Sequence, residues 1–173
     1  MTNIKEQEAL HNGALVKPEA FAMKYRKAII IAVAAIIIAV VGGFLYQAYV
    51  AQPREDKAST ALAKGQEYFD AEQFDKALKG DGTGYMGLLN IINDYSSTDA
   101  ANLANLYAGL CYANLNKWND AVKYLDAYSP ADDAMVSPAA IAALGNAYAH
   151  INQLDKAIDN LEKAAEMADK QAK

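Results

Sequence analysis

The sequence predicts an all-α chain: a single transmembrane helix followed by an α-solenoid of about three repeated helix pairs. Three observations carry this. Residues 28–45 form one unbroken apolar run. Behind it, a spaced set of Gly, Tyr, a large apolar residue and Ala recurs three times. The composition is 53% apolar yet the mean hydropathy is only −0.08. The apolar residues must therefore be unevenly spread, and many must be small. At 173 residues, with 21% charged side chains, 10 Gly and 4 Pro, the chain is neither disordered nor collagen-like.

The first element is the run AIIIAVAAIIIAVVGGFL, Ala28 to Leu45, closed by Tyr46. Eighteen or nineteen helical residues rise roughly 27–29 Å, enough to cross a hydrocarbon core. Lys17, Lys24, Arg26 and Lys27 precede the run, with Glu19 the one acid near them. No charge follows until Arg54. The basic excess on the N-terminal side predicts that this side stays in the cytoplasm. A cleaved signal peptide is the alternative. The long preceding segment, the length of the run and the bulky Tyr46 and Tyr49 behind it all oppose that reading.

The span has a sidedness. Ala28, Ala32, Ala35, Ala39, Gly42 and Gly43 fall within an arc of roughly 100°. Every Ile, Val, Phe and Leu of the span lies outside it. Ala35, Ala39 and Gly43 make a small-xxx-small ladder, the pattern that lets a second membrane helix approach closely. The six residues are therefore expected to form a face for a membrane partner. The organisation that follows is a cytoplasmic tail at 1–27 and the span at 28–46. A linker or helix extension at 47–57 leads to a repeat domain at 58–173. Pro53 is expected to mark a kink or a helix start. Residues 51–173 carry 11 basic and 18 acidic groups, a net of −7, which argues against nucleic-acid binding.

The repeat is read by aligning on glycine. Gly65 is followed by Tyr68, Phe74 and Ala77. Gly109 is followed by Tyr112, Trp118 and Ala121. Gly145 is followed by Tyr148, Leu154 and Ala157. The offsets are +3, +9 and +12 in all three copies. This resembles the tetratricopeptide repeat family, whose pattern has Gly or Ala, Tyr, an aromatic or Leu, and Ala at these offsets. The resemblance implies two antiparallel helices per repeat. The small residues let them approach, and the large residue at +9 opens the second helix. Repeats are placed at about 58–99, 102–135 and 138–171.

The spacings between glycines are 44 and 36 residues, longer than the family's 34. The segment Lys79-Gly80-Asp81-Gly82-Thr83-Gly84 accounts for the first excess. Three glycines in five positions interrupt a helix. A phosphate loop would need a following Lys-Ser/Thr, and a calcium loop would need more acids than Asp81. A surface loop is the expectation. Ser96 to Asp99 supplies a cap for a helix over Ala100–Leu115. Ser137 and Pro138 supply a cap and a first-turn proline for a helix over Ala139–Ile151. Both helices are apolar nearly all round and should be buried on several sides. The last helix, about Leu154 to Lys170, gathers Leu154, Ala157, Ile158, Leu161, Ala164, Ala165 and Ala168 in one stripe. It is expected to seal the stack.

Catalytic chemistry has little to work with. One cysteine permits neither an internal disulfide nor a cysteine zinc site. Cys111 lies in an all-round apolar helix and reads as a small hydrophobe. His150, at a helix end, has no partner at ligand spacing, and Trp118 occupies a packing position. No catalytic residue, metal site or cofactor is expected.

What the repeat resemblance implies instead is a concave surface lined by the first helix of each repeat. The positions are Leu62, Gln66 and Phe69; Leu103, Leu106, Leu110 and Asn114; and Ala142, Asn146 and His150. No Lys or Arg stands in that set, so a clamp for a C-terminal carboxylate is not expected. The groove reads as apolar to neutral, suited to a helix or an extended hydrophobic segment, unless Leu103 and Leu106 belong to the core.

A span with its N-terminus inside, followed by a small repeat domain, is similar to the YfgM-type proteins of bacterial envelopes. The stretch GDGTGYMGLLNIINDYSSTDAANLANLYAGLCYANLNKWNDAVKYLD carries that likeness. It implies an ancillary subunit of the SecYEG-type translocon in the inner membrane, with the repeat domain in the periplasm. Such proteins pair with a membrane-anchored chaperone of PpiD type and serve emerging proteins. Other envelope scaffolds, for cell division or outer-membrane export, and organelle-surface import receptors share the same outline.

Overall fold

A computed structural model of the chain describes residues 25–171. The tail 1–24, with Lys17, Pro18 and Lys24, lies outside the described residues. Every described element is helical, and no strand occurs among them. The chain divides into two compact units, with the boundary between Val50 and Ala51.

The first unit contains helix α1, Arg26–Tyr46. Its whole length is long and apolar enough to cross a membrane. Not one of its residues is buried, and its Ile, Val and Phe side chains stand open. Ala28, Ala32, Ala35 and Ala39 are exposed with the rest, and the space beside Gly42 and Gly43 is empty. A π-helical turn follows at Gln47–Ala51. Residues 47–57, read as a linker or helix extension, are helical throughout. Pro53, which has no N–H to donate, falls where the π-helical turn passes into the next helix.

The second unit holds seven helices among the described residues: α2 (Gln52–Asp70), α3 (Phe74–Lys79), α4 (Leu88–Asp94), α5 (Asp99–Asn114), α6 (Trp118–Asp126), α7 (Val136–His150) and α8 (Leu154–Gln171). One corner is built three times, between α2 and α3, α5 and α6, and α7 and α8. Glu72, Asn116 and Asn152 take the left-handed conformation there, at φ 57°, 58° and 60°. The amides of Gln73, Lys117 and Gln153 each reach back 2.9 Å to the carbonyls of Tyr68, Tyr112 and Tyr148. This Schellman arrangement closes the outgoing helix. The amides of Ala77, Ala121 and Ala157 then bond the carbonyls of Gln73, Lys117 and Gln153, opening the next helix in register.

Between corners, side chains staple helices that are distant in sequence. Thr98 caps α5 by accepting from the Ala101 amide at 3.1 Å. Glu55, more than forty residues earlier on α2, accepts from the amides of Asp99 at 2.8 Å and Ala100 at 2.9 Å. A carboxylate there satisfies orphan donors and faces the positive end of the helix. Arg54 donates to the last carbonyl of α4, Asp94, at 2.8 Å.

Helix α7 starts earlier than expected. Ser137 and Pro138 lie inside it, and Asp133 provides the cap by accepting from the amides of Met135 at 3.0 Å and of Val136 and Ser137. Ser137 is fully buried, and its hydroxyl joins Asp133, the Tyr128 hydroxyl and the Ala131 amide. Its polarity is used up inside the fold rather than at its rim.

Two apolar clusters form the core. The first joins α2, α3 and α4 to α5 through Ala58, Leu62, Ala77, Leu78, Tyr85, Leu88, Ile91, Ala104, Ala108 and Cys111. The second joins α5, α6, α7 and α8 through Leu106, Ala121, Leu125, Tyr128, Ala140, Leu144, Ala147, Tyr148 and Ala157. Alanine at so many contacts lets helix axes come close, which is why a chain rich in small residues still packs densely.

Candidate functional site

The twelve repeat positions hold the corners together, with one exception. Gly65, Ala77, Gly109, Ala121, Gly145, Tyr148 and Ala157 are buried, and Tyr68, Phe74, Tyr112 and Trp118 are half-buried. A Cβ on Gly109 would run into the Leu125 side chain, and one on Gly145 would meet Leu161 at 2.9 Å. Leu154 departs from the set and is exposed. The large residue at this position packs on neighbouring rings in the earlier copies. Phe74 meets Phe69 edge-on at 5.7 Å, and Trp118 stacks on His150 at 3.6 Å with the planes 1° apart. Leu154 has no following helix among the described residues. The stripe expected to seal the stack is divided: Ala157 and Ala164 are buried and Leu161 reaches Gly145, while Leu154, Ile158, Ala165 and Ala168 are exposed.

Of the residues expected to line a groove, two are buried, five are half-buried and three are exposed. Leu62 and Leu106 are buried, one in each core cluster. Leu103 is half-buried and packs on both clusters, and Leu110 packs on the second. Phe69 is locked edge-on between Phe74 and Tyr107. Gln66 and Ala142 are half-buried. Asn114, Asn146 and His150 are exposed. Asn114 donates to the Leu110 carbonyl of its own helix, and His150 covers Trp118. The apolar character of Leu62 and Leu106 thus belongs to the core, because α5 is packed from α2, α3, α4 and α6 together, while the other apolar members of the row keep part of their surface open.

The glycine-rich segment between α3 and α4 folds around one carboxylate. Asp81 accepts from the Thr83 amide at 2.8 Å, the Tyr85 amide at 3.0 Å and the Tyr68 hydroxyl at 2.7 Å. The Tyr68 bond, followed by the amide bonds, holds the Asp81 carboxyl well below the usual carboxylate range. The same bond pushes the Tyr68 phenol up. Backbone amides turned inward in such a loop could cradle an outside anion, but here the protein's own carboxylate occupies them. The carboxylate oxygens of Asp81 are spent on these donors, and no group of three metal-ligating side chains occurs among the described residues.

Tyr85 then drops from the loop onto α2. Its hydroxyl lies over Gly65 and donates to the Ala77 carbonyl at 2.8 Å. Burial pushes its phenol up. Between α2 and this loop runs a cleft of about 640 Å³, walled by Lys57, Ala61 and Lys64 on one side and Thr83, Gly84 and Met86 on the other. A second cleft, of about 610 Å³, lies between two adjacent corners, at Asn116, Asn119, His150 and Asn152.

Cys111 is fully buried, and burial pushes its thiol up to about 12. A thiol so held stays protonated and unreactive at neutral pH. Reasoning from sequence missed Asp81, Asp133 and Glu55 as organising groups. The clue for Asp133 was an acid ahead of an apolar run. Glu55 gave no local clue, since its partners are more than forty residues away. Comparison with protein-family models, with curated proteins and with solved structures finds no match.

Proposed function

We infer that the chain is a non-enzymatic protein-binding module held at a membrane by one helix. The observation that carries the reading is the corner repeated three times, on residues that match the tetratricopeptide pattern, behind an apolar helix of membrane-spanning length. A stack of such helix pairs presents broad surfaces and no reaction centre, and such surfaces bind other proteins. The small-residue face Ala28, Ala32, Ala35, Ala39, Gly42 and Gly43 suits close packing against a membrane helix of a partner complex. Tethering would raise the local concentration of the repeat domain near that complex to roughly millimolar, so weak contacts suffice.

The partner that the sequence favours is the SecYEG-type translocon, together with a membrane-anchored chaperone of PpiD type. The likeness to YfgM-type proteins supports this, with the repeat domain on the exit side, in the periplasm. The basic flank before the span supports that orientation. The test is purification from native membranes in mild detergent and identification of what accompanies the chain. Translocon and periplasmic chaperone subunits are expected. Cell-division or outer-membrane export components in their place would move the chain to another scaffold, and their absence together with absence of the translocon would sink both readings. Replacing Ala35, Ala39 and Gly43 with Leu should release the complex. Retention of the complex would rule out this face.

A further inference from the structure

The second helices of the three pairs begin on matched residues, Phe74, Trp118 and Leu154. On α6 this face is covered. Trp118 and Val122 are half-buried against the cluster that contains Ala140, Leu144 and Ala147 of α7, and Trp118 stacks on His150. On α8 the same two positions are Leu154 and Ile158, which are 56% and 54% exposed. Leu161, at 41%, and Ala165 continue the line. The spacing i, i+4, i+7, i+11 makes one seam along the helix.

The seam is not the surface by which α8 joins its own neighbour. Ala157 and Ala164 are buried, and Leu161 reaches Gly145 with one edge. These contacts occupy the adjoining side of the helix. What remains is an apolar strip, rotated away from α7, in the place where α7 lies on α6. Among the described residues nothing covers it.

Its free border is acidic. Asp155, Asp159, Glu162, Glu166 and Asp169 form a row beside the seam, with Lys156, Lys163 and Lys170 beyond them. This border decides between occupants. A second copy laid antiparallel on the seam would set the acidic row against itself, a like-charge cost along the whole contact. An anionic bilayer surface would repel it as well. A helix with cations along that edge meets neither penalty.

We propose that the seam of α8 docks an alanine-rich amphipathic helix of a partner protein, seated as α7 is seated on α6. Lys or Arg on that helix would lie along the acidic row. Helix α7 shows what such a surface accepts: Ala140, Leu144 and Ala147, with Ile151 just past the helix end, share the i, i+4, i+7, i+11 spacing. Small residues on the incoming helix let it approach closely, while the leucine fills the space between Ile158 and Leu161. The site stands on helix packing alone and is independent of which membrane complex anchors the chain.

The test uses the full chain in mild detergent and two stapled synthetic helices. Both carry the α7 seam residues; one has lysine and the other glutamate along the border. Fluorescence anisotropy should show micromolar binding of the lysine helix and binding of the glutamate helix weaker by about tenfold or more. Ile158→Asp should weaken the lysine helix by about tenfold or more. Leu154→Asp should weaken it too. Both side chains are exposed, so both variants should keep the parent's melting temperature. No binding by the lysine helix, equal binding of the two helices, or binding indifferent to both variants would overturn the proposal. So would self-association of the full chain that Ile158→Asp reverses, or protection of the seam by anionic vesicles.

Discussion

The first and second helix pairs start from the same corner and finish differently. In the second pair, α6 runs on far enough for Leu125 to fill the space over Gly109. In the first pair, α3 stops at Lys79, and the residue sixteen after Gly65 is Asp81, in the loop. The space over Gly65 is filled instead by Tyr85 and Leu88, delivered by the loop and α4. A continuous helix solves its backbone hydrogen bonding internally. The broken one needs the Asp81 carboxylate, the Tyr68 and Tyr85 hydroxyls and four glycines at positive φ to do the same. The corner alone therefore fixes how a pair starts, and very different chains can complete it.

The sharpest way to break this equivalence is Gly87→Ala. Gly87 sits at φ 90° and ψ 150°, a region open to glycine almost alone, and a Cβ would strike the backbone of Leu78, Lys79 and Gly80. Backbone strain and overpacking together should cost about 3–5 kcal/mol. A denaturant melt of the variant checks this, with the first pair losing hydrogen-exchange protection before the second. Next comes a paired measurement. Gly109→Ala should cost about 1–3 kcal/mol, because Leu125 is buried and cannot withdraw. Gly145→Ala should cost less, because the opposing Leu161 borders solvent and can swing away, leaving the Ala157 carbonyl at 3.1 Å as the contact to relieve. Equal losses would mean that the third pair is as tightly enclosed as the second.

Acid separates the pairs in a different way. Asp81 is held below its ordinary value of 3.8 in the folded chain, so the stability it contributes is complete above that value. It is lost as pH falls below roughly 4 toward the folded value. Asp81→Asn should remove this part of the acid dependence, read as a flatter stability profile below pH 4, while leaving the second pair's exchange rates unchanged. The smallest expected effect is at the corner itself. Glu72 takes a left-handed conformation that glycine adopts freely, so Glu72→Gly should stabilise by about 0.5–1 kcal/mol. Asn116→Gly and Asn152→Gly should gain less, because asparagine already tolerates that conformation.

Much of the helical outline was legible in the sequence because it depends on short-range spacing. The apolar span, the glycine break after Lys79 and the recurring Gly, Tyr and Ala are all local signals. The departures share a cause as well. Leu62 and Leu106 look like groove residues on a single helix, and only the neighbours packed on α2 and α5 turn them into core. Ser137 looks like a cap, but Asp133 captures its amide and hydroxyl first and starts α7 earlier. Leu154 matches the pattern by type, yet its burial depends on a following helix. The bridge from Glu55 to Asp99 and Ala100 has no local trace, because it joins positions that only folding brings together.

The repeated corner has a mechanical consequence. Helices meet mainly their neighbours in the series, and α8 meets α7 alone. A load applied at the C-terminal end would therefore not be shared across the unit. It would peel α8 from α7 first, against Ala157, Ala164 and Leu161, and only then reach the pair whose Leu125 is locked beneath α5. The unit should yield in steps, like a zipper opened from one end, with the uncovered seam setting where the first tooth gives way.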